Sequence, residues 1–269
     1  MAHLKGTTMN WRKLWRIVRR VWVTLGLAVT AIFVGWSVIA YRPSSEARQA
    51  ARSGGDVIVH HEAGVRSFIP RYTGSHSAAL IFFPGALVSP VAYAPLMRAV
   101  AAAGFPAYIV ELPRRGAFGG ADGPEVGERF ARLLARPGTP GRWVIGGHSK
   151  GAVVASRFAA EGHGGFSGLV LIGTSHPRDV DLSALTVPVT KIVGTRDGLA
   201  SPAEVNANSG KLPKETRWVW IEGGNHSRFG WYGFQPGDRR ATIPASEQRT
   251  SMIRAVLEAM TRASAQSQP

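Results

Sequence analysis

From residue 56 onward, short runs of apolar, β-branched or aromatic residues recur along the chain. They are V-I-V-H-H (57–61), R-S-F-I-P-R (66–71), A-A-L-I-F-F (78–83), P-A-Y-I-V-E (106–111), R-W-V-I-G (142–146), G-L-V-L-I-G (168–173), V-T-K-I-V-G (189–194) and R-W-V-W-I-E (217–222). Helical stretches separate the later runs, at 91–103, 125–135, 151–160 and 246–262. Strands that read as continuous apolar runs are buried on both faces, and alternation with helices puts those helices on the two faces of a mostly parallel sheet. The expected fold class is therefore α/β, a doubly wound, mostly parallel sheet over residues 56–265. The opening segment around H-H-E-A-G-V-R adds an antiparallel edge. Fifteen residues part the runs at 168–173 and 189–194, too few for a helical lid domain.

In such sheets ligands sit beyond the carboxyl ends of the strands. There, between the strand R-W-V-I-G and the helix at 151–160, lies Gly147-His148-Ser149-Lys150-Gly151. G-x-S-x-G between a strand and a helix is the setting in which a serine projects above the sheet, with glycines permitting the sharp turn. A serine hydroxyl becomes a nucleophile at neutral pH only when a base takes its proton. The partners are expected after later strands, the acid first and then histidine. Asp197 follows V-T-K-I-V-G in T-R-D-G, and His226 follows R-W-V-W-I-E in G-G-N-H-S. His176 is the competing base, although it precedes Asp197, with Asp179 and Asp181 as fallback acids. His3, His60, His61, His76 and His163 fall in polar, edge or glycine-rich segments.

Acyl transfer also requires donors for a tetrahedral oxyanion. The backbone N–H of Lys150 follows the nucleophile, and that of Ala86 lies in P-G-A-L-V-S-P after the strand at 78–83. Lys150 is an unfavourable residue for the first turn of a helix, where the macrodipole disfavours a cation. Its backbone is what such a site would use. The loops at 111–124 and 229–236 are expected to form the rim, with the aromatics of the second as a substrate wall. There is no cysteine, no H-E-x-x-H, no P-loop and no G-x-G-x-x-G, so neither cofactor nor metal is expected.

The residues F-F-P-G-A-L-V (82–88), G-H-S-K-G (147–151), G-T-R-D-G (194–198) and G-G-N-H-S-R-F-G-W-Y-G (223–233) together resemble the α/β-hydrolase superfamily. Within it the chain is similar to the compact fold family 5, a relative of the dienelactone hydrolases, over residues 56–262. The resemblance implies Ser149 as nucleophile, His226 as base, Asp197 as its orienting acid, and Ala86 and Lys150 as oxyanion donors. Dienelactone hydrolases usually carry a cysteine nucleophile, so their lactone substrate is not transferred. The expected function is a serine hydrolase of ester-type or lipid-like small molecules. The alternatives are a serine peptidase or amidase on the same triad and a non-catalytic, membrane-tethered binding module.

The formal charge of +15 raises nucleic-acid binding as a possibility, but its distribution argues otherwise. Residues 1–53 hold nine basic residues and one acid, and the remaining arginines form no stripe. Lys5, Arg12, Lys13, Arg16, Arg19 and Arg20 precede 21–41, which carries no charge and is long enough to cross a bilayer core of about 30 Å. Trp11, Trp15 and Trp22 on one side, with Trp36 and Tyr41 on the other, suit the headgroup belts. The run exceeds the apolar region of a cleaved signal peptide, which favours an uncleaved signal anchor. The expected organisation is thus a basic cytoplasmic segment (1–20), a transmembrane anchor (21–41), a polar linker (42–55) and the hydrolase domain. Six basic residues before the span against a net +2 after it put the domain in the periplasm or outside the cell. Oligomeric state is not legible.

Overall fold

In the computed structural model, which describes residues 11–72, 78–136, 141–162 and 165–265, every apolar run becomes a strand. These are β1 (Val57–Glu62), β2 (Val65–Pro70), β3 (Ala78–Phe83), β4 (Ala107–Val110), β5 (Arg142–His148), β6 (Gly168–Ile172), β7 (Val189–Gly194) and β8 (Arg217–Ile221). They form one sheet in the order β1-β2-β4-β3-β5-β6-β7-β8. The β1–β2 and β2–β4 pairs are antiparallel, and every other pair is parallel. The antiparallel edge and parallel body are as the patterning implies.

β3 shows why a continuous apolar run is needed here. Successive side chains on a strand point to opposite faces. Leu80 and Phe82 enter one core with α3 (Ala94–Ala102) and α7 (Ala245–Ala265). Ala79, Ile81 and Phe83 enter the other with α4 (Pro124–Leu134) and α5 (Lys150–Ala160). A polar residue at any of these positions would be desolvated without a partner. No helix lies between β6 and β7.

The chain divides into two units, Met1–Ala40 and Tyr41–Pro269. The described part of the first is one helix, α1 (Trp11–Ala40), whose apolar side chains are exposed. It is long and apolar enough to cross a membrane. It begins ten residues ahead of the expected span, because no glycine or proline interrupts the chain from Trp11 to Leu25. Arg12, Lys13, Arg16, Arg19 and Arg20 therefore belong to the same helix as the apolar run. Lys5 lies outside the described residues.

The expected linker at 42–55 is not one. Tyr41, read from sequence as the last residue of the span, is buried in the second unit, stacked on Tyr232 with ring centroids 6.4 Å apart. Residues Ser45–Ala50 form α2, capped by Ser44, whose Oγ accepts from the Ala47 N–H at 3.1 Å. Ala47 is fully buried, and the Ser44 N–H donates to the Trp231 carbonyl at 2.8 Å. Glu46 accepts from Trp231 Nε1 at 2.8 Å. Arg98 donates to the carbonyls of Ala50, Arg52 and Gly54. Polar composition suggests a linker because these partners lie far off in sequence.

Candidate active site

Ser149 sits at the junction of β5 and α5 with φ +53° and ψ −119°, a conformation that non-glycine residues rarely adopt. Its own N–H is held by the Ile172 carbonyl at 3.0 Å, which fixes the turn to the end of β6. The glycines around it are required by contact. A side chain at Gly147 would collide with Gly151, and one at Gly151 would collide with the Phe83 carbonyl and lie 2.6 Å from that of Pro84. The turn closes only because both positions lack Cβ.

Asp197 and His226 come together from separate loops beyond β7 and β8. His226 Nδ1 lies 2.9 Å from Asp197 Oδ2, and both side chains are buried. The other carboxylate oxygen, Oδ1, accepts from the N–H groups of Leu199 at 2.8 Å and Ala200 at 2.7 Å. With Oδ1 committed to backbone donors, Oδ2 is the acceptor for Nδ1–H, and this leaves the lone pair of His226 on Nε2. Nε2 is buried with no hydrogen-bond partner among the described residues. Ser149 Oγ makes no hydrogen bond among the described residues, so in this structure the hydroxyl and Nε2 are not joined. Catalytic hydrogen bonds are often long before substrate arrives.

His148, the residue before Ser149, packs against His226 and so places that ring beside the turn that bears Ser149. Its ring centroid is 4.5 Å from that of His226. Its Nδ1 is 2.7 Å from Tyr93 Oη, which also accepts from the Gly85 N–H at 3.1 Å. Burial pushes the Tyr93 phenol up and keeps it protonated. No other acceptor engages Oη among the described residues, so its proton goes to His148 Nδ1. His148 therefore carries its own proton on Nε2, which has no partner among the described residues. Burial, and then the neighbouring His226, hold the His148 imidazole well below the usual histidine range, hence neutral. Tyr93 thereby ties the Gly85–Ala86 turn to the serine turn.

The backbone N–H groups of Ala86 and Lys150 are engaged by no other group of the described chain. The Lys150 side chain reaches across to Asp122, with Nζ 3.1 Å from Oδ1 and 3.3 Å from Oδ2, and Arg157 also grips that carboxylate. These cations, Arg157 first, lower the Asp122 carboxyl. A lysine in the first helical turn is thus compensated by a neighbouring acid that anchors the 111–124 loop to α5. The same loop takes the Leu87 N–H on the Arg115 carbonyl at 2.8 Å. It turns through left-handed conformations at Arg114, Arg115 and Phe118, and Phe118 is 92% exposed.

The other loop read as rim behaves differently. Phe229, Trp231 and Tyr232 are buried in the core, and only Phe234 among its aromatics is exposed. Most of that loop is packing: Trp231 bonds Glu46 of α2, Tyr232 stacks on Tyr41, and Phe229 lies against His148 with ring centroids 5.7 Å apart. His176 makes no hydrogen bond or ion pair with Asp197 among the described residues. Its Nδ1 accepts from the Arg178 N–H at 3.3 Å, and burial lowers its imidazole to about 4. Asp179 and Asp181 are exposed, and Asp181 caps the Ser183 N–H at 2.9 Å. His60 is exposed on β1, His61 pairs with Glu111 at 3.2 Å, and His3, His76 and His163 lie outside the described residues. No group of three or more metal-ligating side chains converges among the described residues.

Sequence reasoning passed over Tyr93, Asn225, Asp238 and Gln248. Fully buried Gln248 on α7 donates to the Asn225 carbonyl at 2.6 Å and accepts its N–H at 3.0 Å, fixing the residue before His226.

The model of one protein family, described as the alpha/beta hydrolase family, matches residues 79–250. Among solved structures, a predicted CIB-like hydrolase from Thermoplasma acidophilum is similar at 15% identity and TM-score 0.55, covering 75% of this chain and 97% of that one. The protein TT1662 from Thermus thermophilus is similar at 18% identity and TM-score 0.50, covering 76% and 98%. At these identities the likeness is one of fold. No curated protein matches the chain.

Proposed function

Since the chain belongs to the alpha/beta hydrolase family, we propose that it is a serine hydrolase of ester-type substrates, working through Ser149, His226 and Asp197. The observation that carries this reading is the buried Asp197–His226 bond, which leaves the Nε2 lone pair of His226 free beside the strained turn that bears Ser149. His226 Nε2 takes the Ser149 proton as Oγ attacks the ester carbonyl carbon. The N–H groups of Ala86 and Lys150 receive the oxyanion, a contribution of about 3–4 kcal/mol per donor in comparable sites. Collapse of the tetrahedral adduct expels the alcohol, which takes the proton back from His226. Water, deprotonated in turn by His226, then releases the acid and regenerates the serine. Asp197 holds the imidazole tautomer throughout.

The test is labelling by a fluorophosphonate together with hydrolysis of a chain-length series of p-nitrophenyl esters and a peptide p-nitroanilide. Wild-type protein is expected to label and to cleave esters in preference to the anilide, and Ser149→Ala to do neither. A wild-type chain that neither labels nor cleaves refutes the hydrolase reading. Labelling that survives Ser149→Ala refutes the assignment of the nucleophile, and preference for the anilide makes the protein an amidase.

We further propose that α1 is an uncleaved anchor with its amino end in the cytoplasm, so that amphiphilic esters of the envelope are within reach. The support is the excess of basic residues ahead of the apolar run. A reporter active only outside the cytoplasm, fused after Pro269, is expected to be active, and an inactive fusion reverses the topology.

A further inference from the structure

We propose that Asp238 is a positioning residue that holds the acid and base loops in register; this rests on the serine-hydrolase reading above. Asp238 is half-buried in a turn some dozen residues past His226. Its Oδ1 accepts from the N–H of Gly198 at 3.1 Å, the N–H of His226 at 3.3 Å and the N–H of Arg239 at 2.8 Å. Its Oδ2 accepts from the N–H of Ser227 at 2.8 Å and from Ser227 Oγ at 2.6 Å. One carboxylate therefore holds the residue after the acid, the base itself and the residue after the base.

The choice of side chain follows from the donors. Every group aimed at Asp238 donates, and only an ionised carboxylate is an acceptor at both oxygens with room for so many. An amide would turn an N–H₂ toward at least one existing donor. Charge-assisted bonds of this kind are also the stronger class. Ser227 Oγ extends the arrangement by accepting the Gln235 N–H at 2.9 Å, which closes the turn back on the base loop. Beyond Asp238, the acid and base loops are joined directly in two places: at Asp197 and His226, and at a set of bonds comprising the Arg196 N–H to the Gly224 carbonyl at 2.8 Å, the Gly223 N–H to Thr195 Oγ1 at 2.9 Å and Thr195 Oγ1 to Glu222 Oε1 at 3.1 Å. The second lies on the strand side of both residues. Asp238 supplies the tie on the far side, so the Asp197–His226 geometry is clamped from both ends. Displacement of a catalytic group by about 1 Å costs on the order of 10²-fold in rate.

The experiment compares the full-length wild type, Asp238→Asn and Ser227→Ala in detergent, with p-nitrophenyl butyrate as substrate and thermal unfolding as the check on folding. Asp238→Asn is expected to lower kcat about 10²-fold while KM stays within about twofold, because the substrate surface is untouched. The low-field proton resonance of His226 Nδ1–H is expected to shift or broaden. A folded Asp238→Asn with wild-type kcat overturns the proposal, as does one in which only KM rises. If Asp238→Asn does not fold, Ser227→Ala decides: removal of the Oγ bond to Asp238, with that from the Gln235 N–H, is expected to lower kcat about tenfold at constant KM, and an unchanged kcat overturns the proposal. Wild-type protein with no esterase activity overturns the underlying reading and this proposal with it, an outcome distinct from an active wild type indifferent to Asp238.

Discussion

Lys191 sits on β7, all of whose residues are buried, between Leu171 and Trp218 on the neighbouring strands. It is 1% exposed, and its Nζ donates to the His176 carbonyl with no carboxylate beside it among the described residues. Burial lowers its ammonium from the usual 10.5 to about 7. Between those values the unfolded chain binds a proton that the folded chain does not, so stability rises with pH across that window. At about 1.4 kcal/mol per pH unit, the lysine costs roughly 4 kcal/mol of stability at pH 7 and roughly 1 kcal/mol at pH 10. Lys191→Met keeps the volume and removes the charge, while leaving the His176 carbonyl without its donor at about 1–2 kcal/mol. The variant is therefore expected to be about 2–3 kcal/mol more stable than wild type at pH 7, with the advantage gone near pH 10. Urea unfolding of both full-length chains in detergent, from pH 6 to pH 10, measures this as a gap in midpoint of roughly 1 M at pH 7 that closes on the alkaline side. Other titrations cancel in the difference. A gap independent of pH, or a variant less stable at pH 7, would show that the ammonium is not held as a desolvated charge.

Three further outcomes are expected. His226→Ala removes as much esterase activity as Ser149→Ala, whereas Asp197→Asn retains more of it and His176→Ala is near wild type; loss with His176→Ala but not His226→Ala reverses the choice of base. Tyr93→Phe leaves the Gly85 N–H and His148 Nδ1 orphaned in a dry site, destabilises by about 2–5 kcal/mol in thermal unfolding and lowers kcat more than it raises KM, while a silent substitution shows that the Gly85 turn needs no tie. A chain beginning at Tyr41 unfolds at the full-length temperature, but one beginning at Asp56 loses the burial of Tyr41 and α2, about 3–6 kcal/mol, and unfolds roughly 6–24 °C lower. Equal unfolding temperatures would mean that residues 41–55 merely decorate the surface.

The parallel sheet was legible because its strands must be apolar on both faces, and that requirement writes itself into A-A-L-I-F-F and G-L-V-L-I-G. The meeting of Asp197 and His226 was legible because each follows a strand at the carboxyl edge, as does the turn that bears Ser149. The groups around them were not. Asp238 reads as an ordinary turn residue before arginines, and Tyr93 as one more apolar position near a helix. Their meaning depends on which loops the topology brings opposite them, and no local period encodes that. Polar composition misled at 42–55 for the same reason. Ser44 and Glu46 look solvated until Trp231, 185 residues beyond Glu46, arrives to be bonded.

That separation has a bearing on how the molecule is made. Residues 41–50 are the first of the second unit to be synthesised, and the rings and carbonyl at 231–232 that Tyr41, Ser44 and Glu46 meet come far later, Trp231 lying 185 residues beyond Glu46. Tyr41 must wait until Tyr232 has been made before its burial site is complete, whereas α2 has α3 to pack against much earlier. Loop closure over such a span gains nothing until both ends are present. Completion of this fold is therefore tied to release of the segment around Trp231 and Tyr232. In that interval the earliest apolar residues are open to a chaperone and to the wrong partner alike.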